Sequence, residues 1–265
     1  MSDEHAGRVY VVTGGGTGIG AASAALLRDR GAEVVVVGRR REAVEAVAAK
    51  TGAIAVQGDA ADPSVSQRAL DEVMTRWGHL DGLICSAGTG NFADVEQTTD
   101  DEWSRVMRAN VESAFATTRA LLPALRASRG AIVLVSSVAG VLAPPHAAAY
   151  VTSKHALVGL GRSLAVDSGP AGVRTNVVCP WLTRTPMSDE LMGALGASRG
   201  GNAESSYARA AEISPSRRVL EAADVAELIA FLSGPRSIAV NGAVVMADGG
   251  ITAYDLSVLA MVAPG

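Results

Sequence analysis

Cysteine, histidine and aromatic residues are scarce in this chain, and it has neither a long apolar run nor an excess of basic charge. Only two cysteines, Cys85 and Cys179, occur in 265 residues. Each sits inside an apolar stretch, so both read as buried reduced thiols, not as a disulfide framework. Four scattered histidines without ligand spacing give no reason to expect a metal. Lys and Arg number 23 against 27 Asp and Glu, a formal charge of −4. That is not the footprint of a polyanion-binding face, and no nucleic-acid partner is expected. The longest apolar runs, such as Val34–Val37 and Ala131–Val135, fall far short of the roughly 20 residues that span a bilayer. No membrane segment is expected. The start Met1-Ser2-Asp3-Glu4-His5 is acidic and polar, unlike the basic and then apolar opening of a secretory signal. A cytoplasmic protein is the expectation.

What is abundant is small and apolar. Hydrophobic residues make up 48% of the chain, charged residues only 19%, and there are 29 glycines. This composition excludes disorder as the main state. Short β-branched runs of strand length alternate with Ala-rich segments of helical period from one end to the other. Val9–Val12, Val34–Val37, Ala53–Val56, Gly82–Cys85, Ala131–Val135, Val173–Cys179 and Ala243–Met246 are the predicted strands. They are apolar on both parities, as strands covered by helices on both faces are. The fold class is therefore α/β: a doubly wound, Rossmann-type parallel sheet of about seven strands with helices on both faces. No repeat or linker divides the chain, so residues 1–265 are expected to form one dinucleotide-binding and catalytic domain. Gly193, Gly196, Gly200 and Gly201 interrupt the segment from Trp181 to Arg218, which reads as an irregular lid over a substrate.

Directly after the first strand stands Thr13-Gly14-Gly15-Gly16-Thr17-Gly18-Ile19-Gly20, followed by a helical segment. Glycines at such a junction let the chain turn, let a pyrophosphate approach the backbone and let helix pack on strand, with the helix N-terminus facing the negative charge. Farther on, Tyr150 and Lys154 are four residues apart, which on a helix puts phenol and ammonium on one face. Ser137 closes the fifth strand thirteen residues before Tyr150, and Asn110 lies in Arg108-Ala109-Asn110-Val111.

With T-G-x-x-x-G-x-G, the serine, Y-x-x-x-K, T-x-M at Thr185-Pro186-Met187 and D-G-G at Asp248-Gly249-Gly250, the chain resembles the short-chain dehydrogenase/reductase family. These motifs span nearly its whole length. The resemblance implies a catalytic tetrad of Asn110, Ser137, Tyr150 and Lys154. Tyr150 would exchange a proton with the substrate oxygen and Ser137 would hold that oxygen. Lys154 would bind the nicotinamide ribose and lower the tyrosine pKa, and Asn110 would hold a water leading to Lys154. A phenol with an ordinary pKa near 10 needs such help at neutral pH.

The same resemblance implies a cofactor site. Gly14, Gly16, Thr17, Gly18, Ile19 and Gly20 would cradle the pyrophosphate, Asp59 with Ala60 would meet the adenine, and Ser86, Ala87 and Gly88 would approach the nicotinamide half. Pro180, Trp181, Thr183 and Thr185 would close its far side, and Asp248 is read as structural. Two departures stand out: Ser86 replaces the family's asparagine, and Trp181 replaces its glycine. An NAD enzyme places an acid at the end of the second strand, which would repel a 2′-phosphate. Gly38-Arg39-Arg40-Arg41 stands there instead. NADP(H) is favoured on Arg39 and Arg40, with NAD(H) the alternative.

Ser137, Val138, Tyr150, Trp181, Leu182 and Met187 are the predicted substrate pocket, largely apolar, with Thr89-Gly90-Asn91 beside it. A hydrophobic ketone or secondary alcohol suits it better than a phosphorylated sugar. His146, on the Pro144-Pro145-His146 loop, reads either as a further pocket residue or as a surface histidine. The expected partners are the small-molecule substrate and further copies of the chain. By resemblance these form a homotetramer or a dimer through helices at about Asp100–Leu122 and Val151–Asp167, with the apolar tail Leu256–Val262 buried. An epimerase-like reaction and a non-catalytic nucleotide sensor are the competing readings; the intact tetrad argues against the sensor.

Overall fold

In the computed structural model, which describes residues 4–254, seven strands form one parallel sheet in the order β3-β2-β1-β4-β5-β6-β9. The strands are β1 (Val9–Thr13), β2 (Glu33–Gly38), β3 (Ile54–Gln57), β4 (Gly82–Cys85), β5 (Ala131–Val135), β6 (Arg174–Pro180) and β9 (Val244–Ala247). Successive residues of the strands feed opposite faces, as the period of two requires. Val9, Val11, Leu83 and Ile132 join one hydrophobic cluster, and Tyr10, Val12, Ile84 and Val133 join the other. Both faces are covered by helices, which is why the strands are apolar on both parities.

The register explains how the site arises. β1 pairs with β2 on one side and β4 on the other, Val12 facing Val36 and Ile84. Strand order reverses there, and in open parallel sheets ligands bind in the crevice outside the carboxyl ends at that point. Helix α1 (Gly18–Asp29) follows the glycine loop, α2 (Arg41–Thr51) follows β2, and α3 (Pro63–Arg76) starts after Asp62, whose side chain accepts the Ser64 amide. Gly31 sits at φ +83 after α1, a conformation that glycine adopts freely.

The helix expected over about Asp100–Leu122 is divided. It comprises α4 (Asp100–Met107), a π-helical stretch Arg108–Glu112 and α5 (Ser113–Ser128). A π turn adds a residue to the turn and redirects the helix beyond it, and it is common at functional sites. Here it holds Asn110, which is fully buried. Helix α6 (Ala148–Ser168) carries Tyr150 and Lys154.

The expectation of an irregular segment after Trp181 is corrected. β7 (Thr183–Arg184) pairs with β8 (Leu220–Glu221), and α7 (Pro186–Ala197) packs on α8 (Ala203–Ile213); α9 (Ala222–Ser233) then returns to the sheet. The glycines serve packing and turning, not disorder. A Cβ on Gly196 would stand 2.2 Å from the Asn202 carbonyl oxygen, and Gly200 turns the chain at φ +73. Met192, Tyr207 and Val219 give this subdomain its own small core. Among the described residues no helix is long and apolar enough to cross a membrane, and no group of three or more His, Cys, Asp or Glu converges. Cys85 and Cys179 are free and buried.

Candidate active site

The glycine loop is shaped by close contacts that side chains would prevent. A Cβ on Gly20 would lie 2.3 Å from the Gly14 carbonyl oxygen, and one on Gly14, at φ +67, would lie 2.6 Å from that of Ser86. The turns after β1 and β4 thus touch across the crevice. Thr17, which precedes α1, makes no side-chain hydrogen bond to the turn it caps, whereas Thr99 and Thr185 cap α4 and α7 with theirs. The Thr17 hydroxyl instead accepts from Arg40 Nη2 at 3.2 Å. The amides at the start of α1 are left facing the crevice, the arrangement that receives an anion.

A groove of about 410 Å³ runs from this loop past Arg39, Asp59 and Ala60 to Ala87 and Gly88. Its lack of side chains at Gly14, Gly16 and Gly88 fits a dinucleotide, and Arg39 and Arg40 stand at one end of it. Arg39 makes no ion pair or side-chain hydrogen bond among the described residues, and its carbonyl accepts from Gln57. Asp59 lines the groove but is also engaged within the chain: one oxygen accepts the Ala61 amide at 3.0 Å, the other Arg108 Nε at 3.1 Å. Ser86, where the family has asparagine, leaves the tethering of this turn to Thr13. The Thr13 carbonyl accepts the Ser86 amide at 3.2 Å, and its hydroxyl the Ala87 amide at 3.4 Å.

On the other side of the crevice lie the four residues of the expected tetrad. Asn110 Oδ1 accepts the Thr89 amide at 2.7 Å, and its Nδ2 donates to the Thr89 carbonyl at 3.0 Å and to Ser153 Oγ at 2.8 Å. Ser153 Oγ in turn donates to the Tyr150 carbonyl at 2.7 Å. A Cβ on Gly88 would lie 3.1 Å from Asn110 Oδ1, tight enough to press on that side chain, and 3.7 Å from Lys154 Nζ, an ordinary contact. Ser136 Oγ donates to the Lys154 carbonyl at 2.8 Å, tying the end of β5 to α6. Ser136 and Ser153 are fixing residues that the sequence does not single out, because each is joined to a residue distant in the chain, Lys154 and Asn110 respectively. Ser137 opens the short turn Val138–Gly140, its hydroxyl accepting the Ala139 amide at 3.1 Å, and its side chain is near enough to Tyr150 to favour the phenolate.

The expected lowering of the tyrosine pKa by Lys154 has to work against burial of both groups. Burial raises the Tyr150 pKa above its ordinary value, and the Ser137 side chain opposes it without reversing it. The Lys154 ammonium lies 5.6 Å from the Tyr150 ring centre and donates to the Val135 carbonyl at 3.1 Å. Burial lowers Lys154 to about 8, with the nearby Cys179 acting in the opposite sense. Among the chain's own groups, desolvation is thus the larger effect on both.

The remaining predicted residues lie at the end of β6 and beyond it, on the loop before α6 and after β9. Thr185 caps α7 and approaches the glycine loop, its Cγ2 3.0 Å from where a Cβ on Gly18 would be. Pro180 ends β6, the Trp181 amide bonds the Ala247 carbonyl at 3.0 Å, and Thr183 Oγ1 donates to the Trp181 carbonyl at 2.9 Å. Leu182 packs on the α7–α8 core, and Met187 is exposed. His146 is exposed as well, hydrogen-bonded to Asp94 at 2.7 Å on the rim. Asp248 is structural: burial works to raise it, but the Gly250 and Thr252 amides and the Thr252 hydroxyl together hold it below the usual carboxylate range.

Comparison with known proteins agrees with this geometry. The family model described as Enoyl-(acyl carrier protein) reductase matches residues 14–252. Protein MoaE of Klebsiella aerogenes is 40% identical over 96% of this chain and 98% of its own length. Meso-2,3-butanediol dehydrogenase of Serratia marcescens is 34% identical over 94% and 96%. L-Sorbose reductase from Gluconobacter frateurii, whose structure is complexed with NADPH and L-sorbose, superposes with a TM-score of 0.87 at 28% identity, covering 95% of this chain and 98% of that one. A loop-and-groove site at the sheet's switch point beside a Ser-Tyr-Lys cluster, together with these matches, makes the chain a member of the short-chain dehydrogenase/reductase family, an NAD(P)-dependent oxidoreductase acting on alcohol or carbonyl groups.

Proposed function

We propose that the protein reduces the carbonyl group of a hydrophobic small molecule with NADPH, Tyr150 acting as general acid. The observation that carries the chemistry is the convergence of Tyr150, Ser137 and Lys154 at the carboxyl ends of β5 and β6. The bound nicotinamide would supply the hydride. Tyr150 Oη would donate its proton to the substrate oxygen, and Ser137 Oγ would fix that oxygen so that developing charge meets two donors. Lys154 would bind the ribose, and Asn110 would keep the Thr89 turn and, through Ser153, the start of α6 in place. The helices of 181–218 would act as the lid, with Trp181 and Met187 facing substrate, whereas Leu182 packs into the core of that lid.

The preference for NADPH rests on Arg39, which lines the groove with no side-chain partner among the described residues. Arg39→Ala is expected to weaken NADPH binding by about 10- to 100-fold, the weight of a charge-assisted hydrogen bond, and NADH binding by less than about two-fold. Paired fluorescence titrations read this directly. Tighter NADH binding by the unaltered protein would discard the phosphate site. The second reading, an NAD-dependent alcohol dehydrogenase, draws on Arg40, which is engaged with Thr17 and leaves one arginine where two would grip a phosphate better.

Self-association as a tetramer or dimer is favoured by the exposed Trp103 of α4, Phe115 of α5 and Val166 of α6. Light scattering is expected to give a mass at least twice the 26.9 kDa of one chain, and a monomer would reject this arrangement. The tail Leu256–Val262 lies outside the described residues.

A further inference from the structure

Phe92 is 48% exposed, yet its ring centre lies 6.0 Å from that of Tyr150 at an interplanar angle of 39°. That separation falls within the roughly 4.5–7 Å over which aromatic rings attract one another. An exposed ring beside the proton donor leaves an apolar face for a substrate to cover. Its loop is pinned on one side by Asn110, which bonds both the amide and the carbonyl of Thr89, and by Arg105, whose Nη1 donates to Thr89 Oγ1 at 3.1 Å. Gly90 lets the ring lie back on the loop, since a Cβ there would approach Phe92 Cε2 to 3.2 Å. On the other side Asp94 Oδ1 accepts from His146 Nδ1 at 2.7 Å. His146 stands at φ +54, in the left-handed region, four residues before Tyr150. A non-glycine residue keeps that conformation only where its surroundings hold it. The Asp94–His146 pair therefore clasps the Phe92 loop to the segment that leads into α6.

We propose that Phe92 is a specificity-determining residue of this site, selecting substrates whose reacting carbonyl or carbinol carbon is attached to a flat unsaturated ring, and that Asp94 and His146 are the positioning pair that holds it there. The inference rests on the Tyr150 reading above. A carbonyl oxygen hydrogen-bonded to Tyr150 puts the group on its carbon beside Phe92. A flat ring gains there both the desolvation of an exposed apolar surface and the edge or face attraction of a second π-system. A saturated ring of the same size gains only the first.

The test compares acetophenone with cyclohexyl methyl ketone, of similar size and differing in the ring. In the unaltered protein acetophenone is expected to have the higher kcat/KM. Phe92→Leu, which keeps apolar bulk, is expected to lower kcat/KM for acetophenone by about 10-fold while changing the saturated ketone by less than about two-fold. His146→Gly is expected to raise KM for acetophenone several-fold with kcat retained. The double variant should be no worse than Phe92→Leu alone, because the clasp acts only through the ring. Equal losses for both ketones, or additive effects of the two substitutions, would overturn the proposal. Calorimetric titration of both ketones into the NADPH complex of the Tyr150→Phe variant separates the two readings. Phe92-dependent acetophenone binding without turnover by the unaltered protein would reject the Tyr150 chemistry and keep the ring site. Turnover indifferent to Phe92 would reject the ring site and keep the chemistry, and neither binding nor turnover would reject both.

Discussion

Replacing Tyr150 with phenylalanine is expected to lower kcat for ketone reduction by about 10³-fold, the scale of a lost general acid. The substitution removes one oxygen and leaves the ring, so packing beside Phe92, at 6.0 Å between ring centres, is retained. NADPH affinity should then stay within about two-fold, because the groove is built by other residues and the loss falls on the chemical step. Lys154→Met should differ in kind: with the ribose-binding role proposed for its ammonium, affinity and kcat should fall together. The pH profile carries a sign. Burial holds the Tyr150 phenol above its ordinary pKa, so the proton that reduction requires is present throughout the neutral range. Alcohol oxidation requires the phenolate and should quicken as pH rises. Lys154, lowered by burial to about 8, loses its charge above that value, and reduction should decline there. A Tyr150→Phe enzyme within about ten-fold of the unaltered rate, measured with saturating ketone and NADPH, would remove the tyrosine from the proton transfer.

Much of this site was legible because its chemistry depends on spacing along single elements. The glycine loop lies between a strand and a helix, and Tyr150 and Lys154 lie four apart on α6, so each motif is local. Strands β4 and β5 match the sequence reading at both ends, whereas β2 and β6 extend into Glu33, Gly38 and Pro180, where ladder bonds continue past the apolar run. What escaped is tertiary. The break at Arg108–Glu112 has no proline or glycine to announce it; Asn110 is turned inward by bonds to Thr89 and Ser153, residues on other elements. The glycines at 196 and 200 suggested irregular chain, but one permits a helix-to-backbone contact and the other a tight turn. Phe92 lacks any local signal, since its meaning comes from a ring 58 residues away. Electrostatics escaped for the same reason: desolvation of Tyr150 depends on what covers it, and no motif states that.

Acidification from pH 6.5 toward 4 is expected to remove about 3 kcal/mol of folding stability through His5 alone. His5 is 0% exposed, and its Nδ1 lies 2.7 Å from the hydroxyl of the equally buried Tyr10. That hydroxyl donates to the Ser233 carbonyl at 3.5 Å, so it accepts from His5 Nδ1. The neutral imidazole then carries its proton on Nδ1, and Nε2 is buried without a partner among the described residues. A second proton would have to sit on Nε2, with no acceptor to receive it. Burial accordingly lowers His5 to about 4, with Arg30 and Arg8 adding to the effect and Glu4 opposing it. Because the folded pKa lies below the ordinary 6.5, the unfolded chain binds more protons between the two values. The His5 contribution is therefore complete above pH 6.5 and is lost as pH falls toward 4. Tyr10 behaves as the mirror image: burial raises its pKa, so its contribution is present at neutral pH and is lost only in strong alkali. Other carboxylates titrate in the same acidic range, so the useful quantity is a difference. Stabilities from urea unfolding of the unaltered protein and of His5→Gln, which keeps a donor but does not titrate, should converge by about 1 kcal/mol per pH unit between pH 6.5 and 5. Parallel curves would mean that His5 takes up its proton in the folded state at no cost, and the buried pair with Tyr10 would then have to open before the fold does.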